Sequence, residues 1–181
     1  MTERVQLERG RVTLRPLRPE DADRVVGSLM PWVTDGSAER EIRENLRGRI
    51  ASSGTMTERE LLLGIEVDGS LVGDVQARRE GGPKGVFEIG ITIFQAADRG
   101  KGVGRDAVAA LVGHLFDAEG AHRVQVTTDV ENGAMRAVVE RLGFGFEGVL
   151  RGFWPQPDGF QDYAMYAITK QDYEDVMHRW I

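Results

Sequence analysis

The chain has 181 residues, 41% of them hydrophobic and 29% charged, with a formal net charge of −6. That length fits one globular domain over residues 1–181. The acidic sum argues against a broad nucleic-acid or anionic-membrane footprint, and the absence of Cys removes disulfides, thiolate metal sites and cysteine nucleophiles.

Met1 to Gly10 is polar and charged, and no apolar run approaches ~20 residues, so a cytoplasmic protein without a membrane span is expected. Val12 to Leu17 alternates as a first strand. Pro19 then suits the first turn of a helix whose apolar face is Ala22, Val25, Val26 and Leu29. Pro31 and Gly36 bracket a loop holding Trp32. Ile42, Leu46 and Ile50 mark one stripe of a second helix, closed by Gly54. Leu61–Val67 and Leu71–Arg78 form a hairpin through Asp68-Gly69-Ser70, because Asp-Gly supplies the positive φ angles of a tight turn. Val86–Phe94 is a third strand of this stretch.

The next helix carries Val103, Ala107, Val108, Leu111, Val112 and Leu115 at helical spacing and stops at Gly120. Arg123–Thr127 is a short strand. Asn132 caps a helix through Met135, Val138, Val139 and Leu142, ended by Gly143. Phe144–Arg151 and Asp162–Ile168 are strands around an aromatic, turn-rich loop, Gly152–Gly159. Thr169 caps a last helix bearing Tyr173, Val176, Met177 and Trp180. This order predicts an α/β fold: a mixed sheet covered by helices, with β-α-β crossovers in its middle.

The chemical signal lies between the strand ending near Phe94 and the helix starting near Val103. A glycine-rich turn feeding a helix N-terminus is an anion-binding geometry, since the first helical N–H groups lack internal partners and the dipole is positive there. Lys101 is followed by Gly102, which excludes the Gly-x-x-x-x-Gly-Lys-Ser/Thr triphosphatase loop. The dinucleotide pattern Gly-x-Gly-x-x-Gly fails because the third glycine comes one residue early.

Arg99-Gly100-Lys101-Gly102-Val103-Gly104 resembles the Arg/Gln-x-x-Gly-x-Gly/Ala loop of the GNAT superfamily of N-acyltransferases. Phe87–Ile93 resembles that family's preceding strand, Glu131–Phe144 its second cofactor helix, and Phe146–Arg151 the strand after it. The likeness is greatest to the Rim-type branch of ribosomal-protein N-terminal acetyltransferases and covers nearly the whole chain. It implies a central, mostly antiparallel sheet of six to seven strands, with a parallel splayed pair in the middle and four to five flanking helices. It also implies acetyl-CoA as acyl donor, held by Arg99, Gly100, Lys101, Gly102, Val103 and Gly104. Backbone groups of Ile91, Thr92 and Ile93 would pair with pantetheine and polarise the thioester carbonyl. Asn132 and Met135 would complete the donor site.

Strand alternation puts Glu88, Gly90 and Thr92 on one face, opposite Phe87, Ile89, Ile91 and Ile93. On spacing alone Glu88 is an exposed or salt-bridged strand carboxylate; the resemblance implies the general base that takes the acceptor amine's proton. Asn132 likewise suits a helix cap, a cofactor contact or both. Two positions depart from the family. Met135 stands where this branch often has Ser, and Val139 where other branches carry a proton-donating Tyr, so thiolate departure is unassisted, served by water, or served by a residue such as Tyr163 or Tyr166.

The resemblance implies an acceptor pocket between the loop at Trp32 and the hairpin tip at Trp154, with both tryptophans as substrate-binding candidates. Asp35, Asp158, Asp162 and Glu88 would make it attractive to a cationic amine. His114, His122 and His178 lack metal-ligand spacing, so no metal is expected. The function implied is acetyl transfer to a primary amine, of a peptide or a small molecule, by direct attack in a ternary complex of a monomer or homodimer. The alternative is a non-catalytic acyl-CoA-binding regulatory or interaction module of the same fold.

Overall fold

In the computed structural model, which describes residues 4–29, 36–79 and 83–180, without the side chains of 29 and 36–39, eight strands follow the order β1-β2-β3-β4-β5-β6-β8-β7. Five α-helices accompany them. The strand pairings are antiparallel at β1-β2, β2-β3, β6-β8 and β7-β8, and parallel at β5-β6. The strand count exceeds the sequence expectation because of β1 (Leu7–Arg9), which pairs Leu7 with Leu14 and turns back at Gly10, φ +56°. A three-residue strand with one apolar side chain is too short to show alternation.

The chain forms two compact units, Met1–Ala77 with Ile91–Leu111, and Arg78–Gly90 with Val112–Ile181. In the first, β2 (Val12–Arg15) leads through a 3-10 turn to α1 (Ala22–Leu29) and α2 (Gly36–Ser52). The helical stripes meet as the sequence predicts: Val25, Val26, Leu46 and Ile50 join Leu17, Leu62 and Leu71 in one buried cluster, with Ala22, Ile42 and Phe94 at its margin. Arg15 is also buried. Its guanidinium donates to Asp21 at 2.8 Å and Glu66 at 2.5 Å, so the charge is paired rather than stranded.

Strands β3 (Glu60–Val67) and β4 (Ser70–Arg78) are joined through Asp68, φ +49°, and Gly69, φ +78°, the pair of positive angles the Asp-Gly signal requires. Strand β5 (Val86–Ile93) then runs to a short 3-10 turn and α3 (Val103–Asp117). Gly73 of β4 admits no side chain, because a Cβ there would overlap the Thr92 carbonyl oxygen.

In the second unit β5 meets β6 (Arg123–Asp129) in parallel, with Val86, Phe87 and Glu88 opposite Arg123, Val124 and Gln125. Helix α4 (Gly133–Arg141) follows, capped by Asn132, whose side chain accepts from the Met135 N–H at 3.1 Å. Strands β7 (Gly145–Gln156) and β8 (Gly159–Thr169) form a long hairpin. This corrects the expected loop at Gly152–Gly159: the aromatic residues extend both strands, and only Pro157 and Asp158 make the turn. Gly152, φ +62°, lies within a register shift between Leu150 and Trp154 instead of ending the strand. Thr169 and Asp172 form the capping box of α5 (Lys170–Val176), and a 3-10 turn, Met177–Arg179, follows.

Candidate active site

Glu88 sits in the second unit with its side chain 15% exposed. Alternation on β6 turns Gln125 and Thr127 to the same face, and both reach the carboxylate. The Thr127 hydroxyl donates to Oε1 at 3.0 Å and the Gln125 amide to Oε2 at 3.2 Å, while Arg78 Nη2 donates to Oε1 at 3.3 Å. A carboxylate offers about four acceptor positions; these donors occupy three and leave one on Oε2.

The strip continues away from Glu88 by strand register. Met165 of β8 lies opposite Thr127, and Tyr163 opposite Asp129. The Tyr163 ring is 5.4 Å from Phe153 and 6.0 Å, stacked, from Trp154. Trp154 therefore lies on the strip that begins at Glu88. Burial, reinforced by Asp129, pushes the Tyr163 phenol above its ordinary pKa, so it keeps its proton. Tyr166 faces the other way. It is buried, donates to Glu140 at 2.7 Å and accepts from Arg136 at 3.0 Å, so its hydroxyl is committed to α4.

The glycine loop belongs to the first unit. Gly100 and Gly102 adopt φ +73° and +83°, which only glycine takes without strain, and no atom lies within 4 Å of where a Cβ would stand. The loop is thus shaped for close approach and lined by open space. Exposed Arg99 and Lys101 flank it, and Arg99 Nη2 donates to the Ile93 carbonyl at 3.2 Å, tying loop to strand. Val103 opens α3, and the Gly104 Cβ position lies 3.8 Å from Ile91 Cδ1. Ile91, Thr92 and Ile93 are half-buried at the end of β5.

Asn132 is exposed and Met135 half-buried at the start of α4. Trp32 and Asp35 lie outside the described residues. Among the described residues, no group of His, Asp and Glu has metal-binding geometry, and no helix is long and apolar enough to cross a membrane. A surface cleft of about 530 Å³ between α1 and α2, lined by Val26, Arg43, Leu46 and Arg47, includes none of the candidate site residues named from the sequence.

The residues that sequence reasoning missed are the partners of Glu88. Gln125 and Thr127 were legible as the polar alternates of a strand whose other face is Val124 and Val126. Arg78 carries no such signal, since a strand-end arginine is normally solvated.

Comparison with known proteins decides the family: residues 11–145 match the model of the acetyltransferase (GNAT) domain. The chain belongs to that family. This N-acetyltransferase is 27% identical over 177 residues to YdaF of Bacillus subtilis, named as a candidate ribosomal N-acetyltransferase, with 90% of this chain and 93% of YdaF covered. Its fold is shared with Mycobacterium smegmatis RimJ, solved with CoA-disulfide, at a TM-score of 0.73 and 24% identity over 97% of this chain and 93% of RimJ. It is shared also with RimL, a ribosomal L7/L12 α-N-protein acetyltransferase solved with coenzyme A, at a TM-score of 0.78 and 17% identity over 91% and 98% of the two chains. These similarities run to the Rim-type branch.

Proposed function

We propose that this acetyltransferase carries the acetyl group of acetyl-CoA to a primary amine, on a peptide N-terminus or a small molecule, by direct attack with donor and acceptor bound together. The observation that carries the reading is the Glu88 carboxylate, held by three donors on a strip that ends in aromatic rings.

The donor's thioester supplies an activated acetyl carbonyl. The open glycine loop fits its pyrophosphate: the amides of Lys101 to Gly104 at the N-terminus of α3 offer donors, and Arg99 and Lys101 offer charge. RimJ and RimL, solved with coenzyme A groups, support the same assignment. Asn132 and Met135 then contribute through the start of α4, and the backbone of Ile91–Ile93 lies along the pantetheine.

An aliphatic amine or N-terminus, with a pKa of about 8 to 10, arrives mostly protonated at neutral pH. Glu88 takes that proton on Oε2, directly or through one water, while its other acceptor positions stay engaged and hold the carboxylate in place. The free amine adds to the acetyl carbonyl, the C–S bond breaks, and the proton on the former amine balances the departing thiolate. Trp154, with Phe153 and Tyr163, walls the acceptor side, and Trp32 is assigned to the same role from sequence.

The test measures acetyl-CoA binding by calorimetry, then thiol release with a panel of peptide N-termini and small amines. Acceptor-dependent thiol release is the expected result; donor binding without turnover on any amine would remove the catalytic reading.

A further inference from the structure

Asp74 of β4 is a carboxylate that the acetyl-transfer scheme does not use. It alternates with Gln76 on one face of β4, and its side chain is half-buried. Its surroundings belong to the first unit. From α2, Arg49 reaches in, but its guanidinium is committed: Nε and Nη2 hold both oxygens of Glu60 on β3, at 2.7 and 2.9 Å, and Nη2 also donates to Gln76 Oε1 at 2.8 Å. Asp74 makes no hydrogen bond among the described residues.

Arg49 and Glu60 cancel, and ionised Asp74 leaves the cluster one negative charge in excess. Burial pushes its pKa up to about 6; Arg49 opposes this and Glu60 adds to it. A buried carboxylate left without a partner is costly, and such groups in folded proteins call for a compensating ligand or function.

We propose that the cluster of Asp74, Arg49, Glu60 and Gln76 binds a primary ammonium group, with Asp74 as its counter-charge. The inference rests on the acetyl-transfer reading only for what the ammonium belongs to: an acceptor that carries a second amine besides the one acetylated. A compact ammonium with three donors suits a lone carboxylate, whereas a planar guanidinium would compete with Arg49 for the Glu60 fork.

The probe is 1,4-diaminobutane, titrated calorimetrically into wild-type protein and the isosteric Asp74→Asn variant at pH 7.5, with the Asp74 carboxyl carbon followed by NMR in the wild type. Binding should weaken at least tenfold in the variant, and saturation should lower the apparent pKa of Asp74. Lowering the pH from 7.5 to 5 should weaken binding to the wild type about tenfold, as Asp74 protonates. Equal affinity in the two proteins, no binding to the wild type, or an Asp74 signal indifferent to the diamine would each overturn the proposal. Acetyl-CoA titrated in parallel should bind both proteins alike. Its failure to bind the wild type would overturn the transfer reading and leave the ammonium site to stand or fall on the diamine.

Discussion

Arg78 Nη2 lies 3.3 Å from Glu88 Oε1, and Thr127 shares that oxygen, so the carboxylate is anchored through one oxygen more firmly than through the other. Glu88→Gln keeps the shape and removes the proton acceptor. It should lower kcat/KM by ~10²–10⁴-fold, most severely at low pH, where more of the amine arrives as ammonium. Rates measured from pH 6 to 9 that match the wild type would remove Glu88 from the mechanism.

Gly102→Glu puts bulk and negative charge at a φ of +83°. The backbone strain should cost about 1–2 kcal/mol of folding stability. The loss of acetyl-CoA affinity should be far larger, because the carboxylate occupies the space proposed for the pyrophosphate. Gly102→Ala, measured by calorimetry and denaturation together, isolates the strain. If the Glu variant loses no more binding than the Ala variant, the loop is structural.

Asp74 and Asp21 should respond to pH in opposite senses. The pKa of Asp74 is raised, so the folded state prefers its neutral form and the associated stability is lost as pH rises from the unfolded value through about 6. Asp74→Asn should therefore stabilise the protein at pH 7 by as much as about 3 kcal/mol, with the gain fading towards pH 4. Urea midpoints at the two pH values read the difference directly, and equal midpoints for variant and wild type at pH 7 contradict it.

For Asp21, burial pushes the pKa up, but hydrogen bonds from the Arg15 side chain and the Arg18 backbone N–H outweigh it and hold it below the ordinary value. Its contribution is present above the unfolded pKa and lost as pH falls through the folded one. Asp21→Asn leaves Arg15 underpaired in a buried site and should cost about 3–5 kcal/mol. The deficit should shrink under acid conditions, where the wild type loses the same charge. A variant as stable as wild type at pH 7 would show that Glu66 alone satisfies Arg15.

Periodicity and capping carried most of the fold. The stripes of α1 and α2 follow the helical period, and the Asp68-Gly69 turn and the Asn132 and Thr169 caps are set by contacts within a few residues, so the local sequence contains them. The course of Gly152–Gly159 was misread because glycine and proline punctuate turns and bulges alike, and the choice between them depends on pairing with a distant strand. At the candidate site, the loop at Gly100–Gly104 could be named from pattern, and Glu88 from the family resemblance. Its partner Arg78 and the isolation of Asp74 could not, because they depend on which side chains a sheet brings side by side.

Among the described residues the twelve-residue strand β7 ends the sheet and exposes Phe146, Val149, Phe153 and Trp154. Such an edge ordinarily templates aggregation by adding strands from other copies. Here the ladder slips between Phe146 and Gly148 and again between Leu150 and Trp154, and Pro155 offers no N–H. An incoming chain meets only short, mutually misaligned runs of backbone, so the irregularities of this edge work against its extension by a further strand.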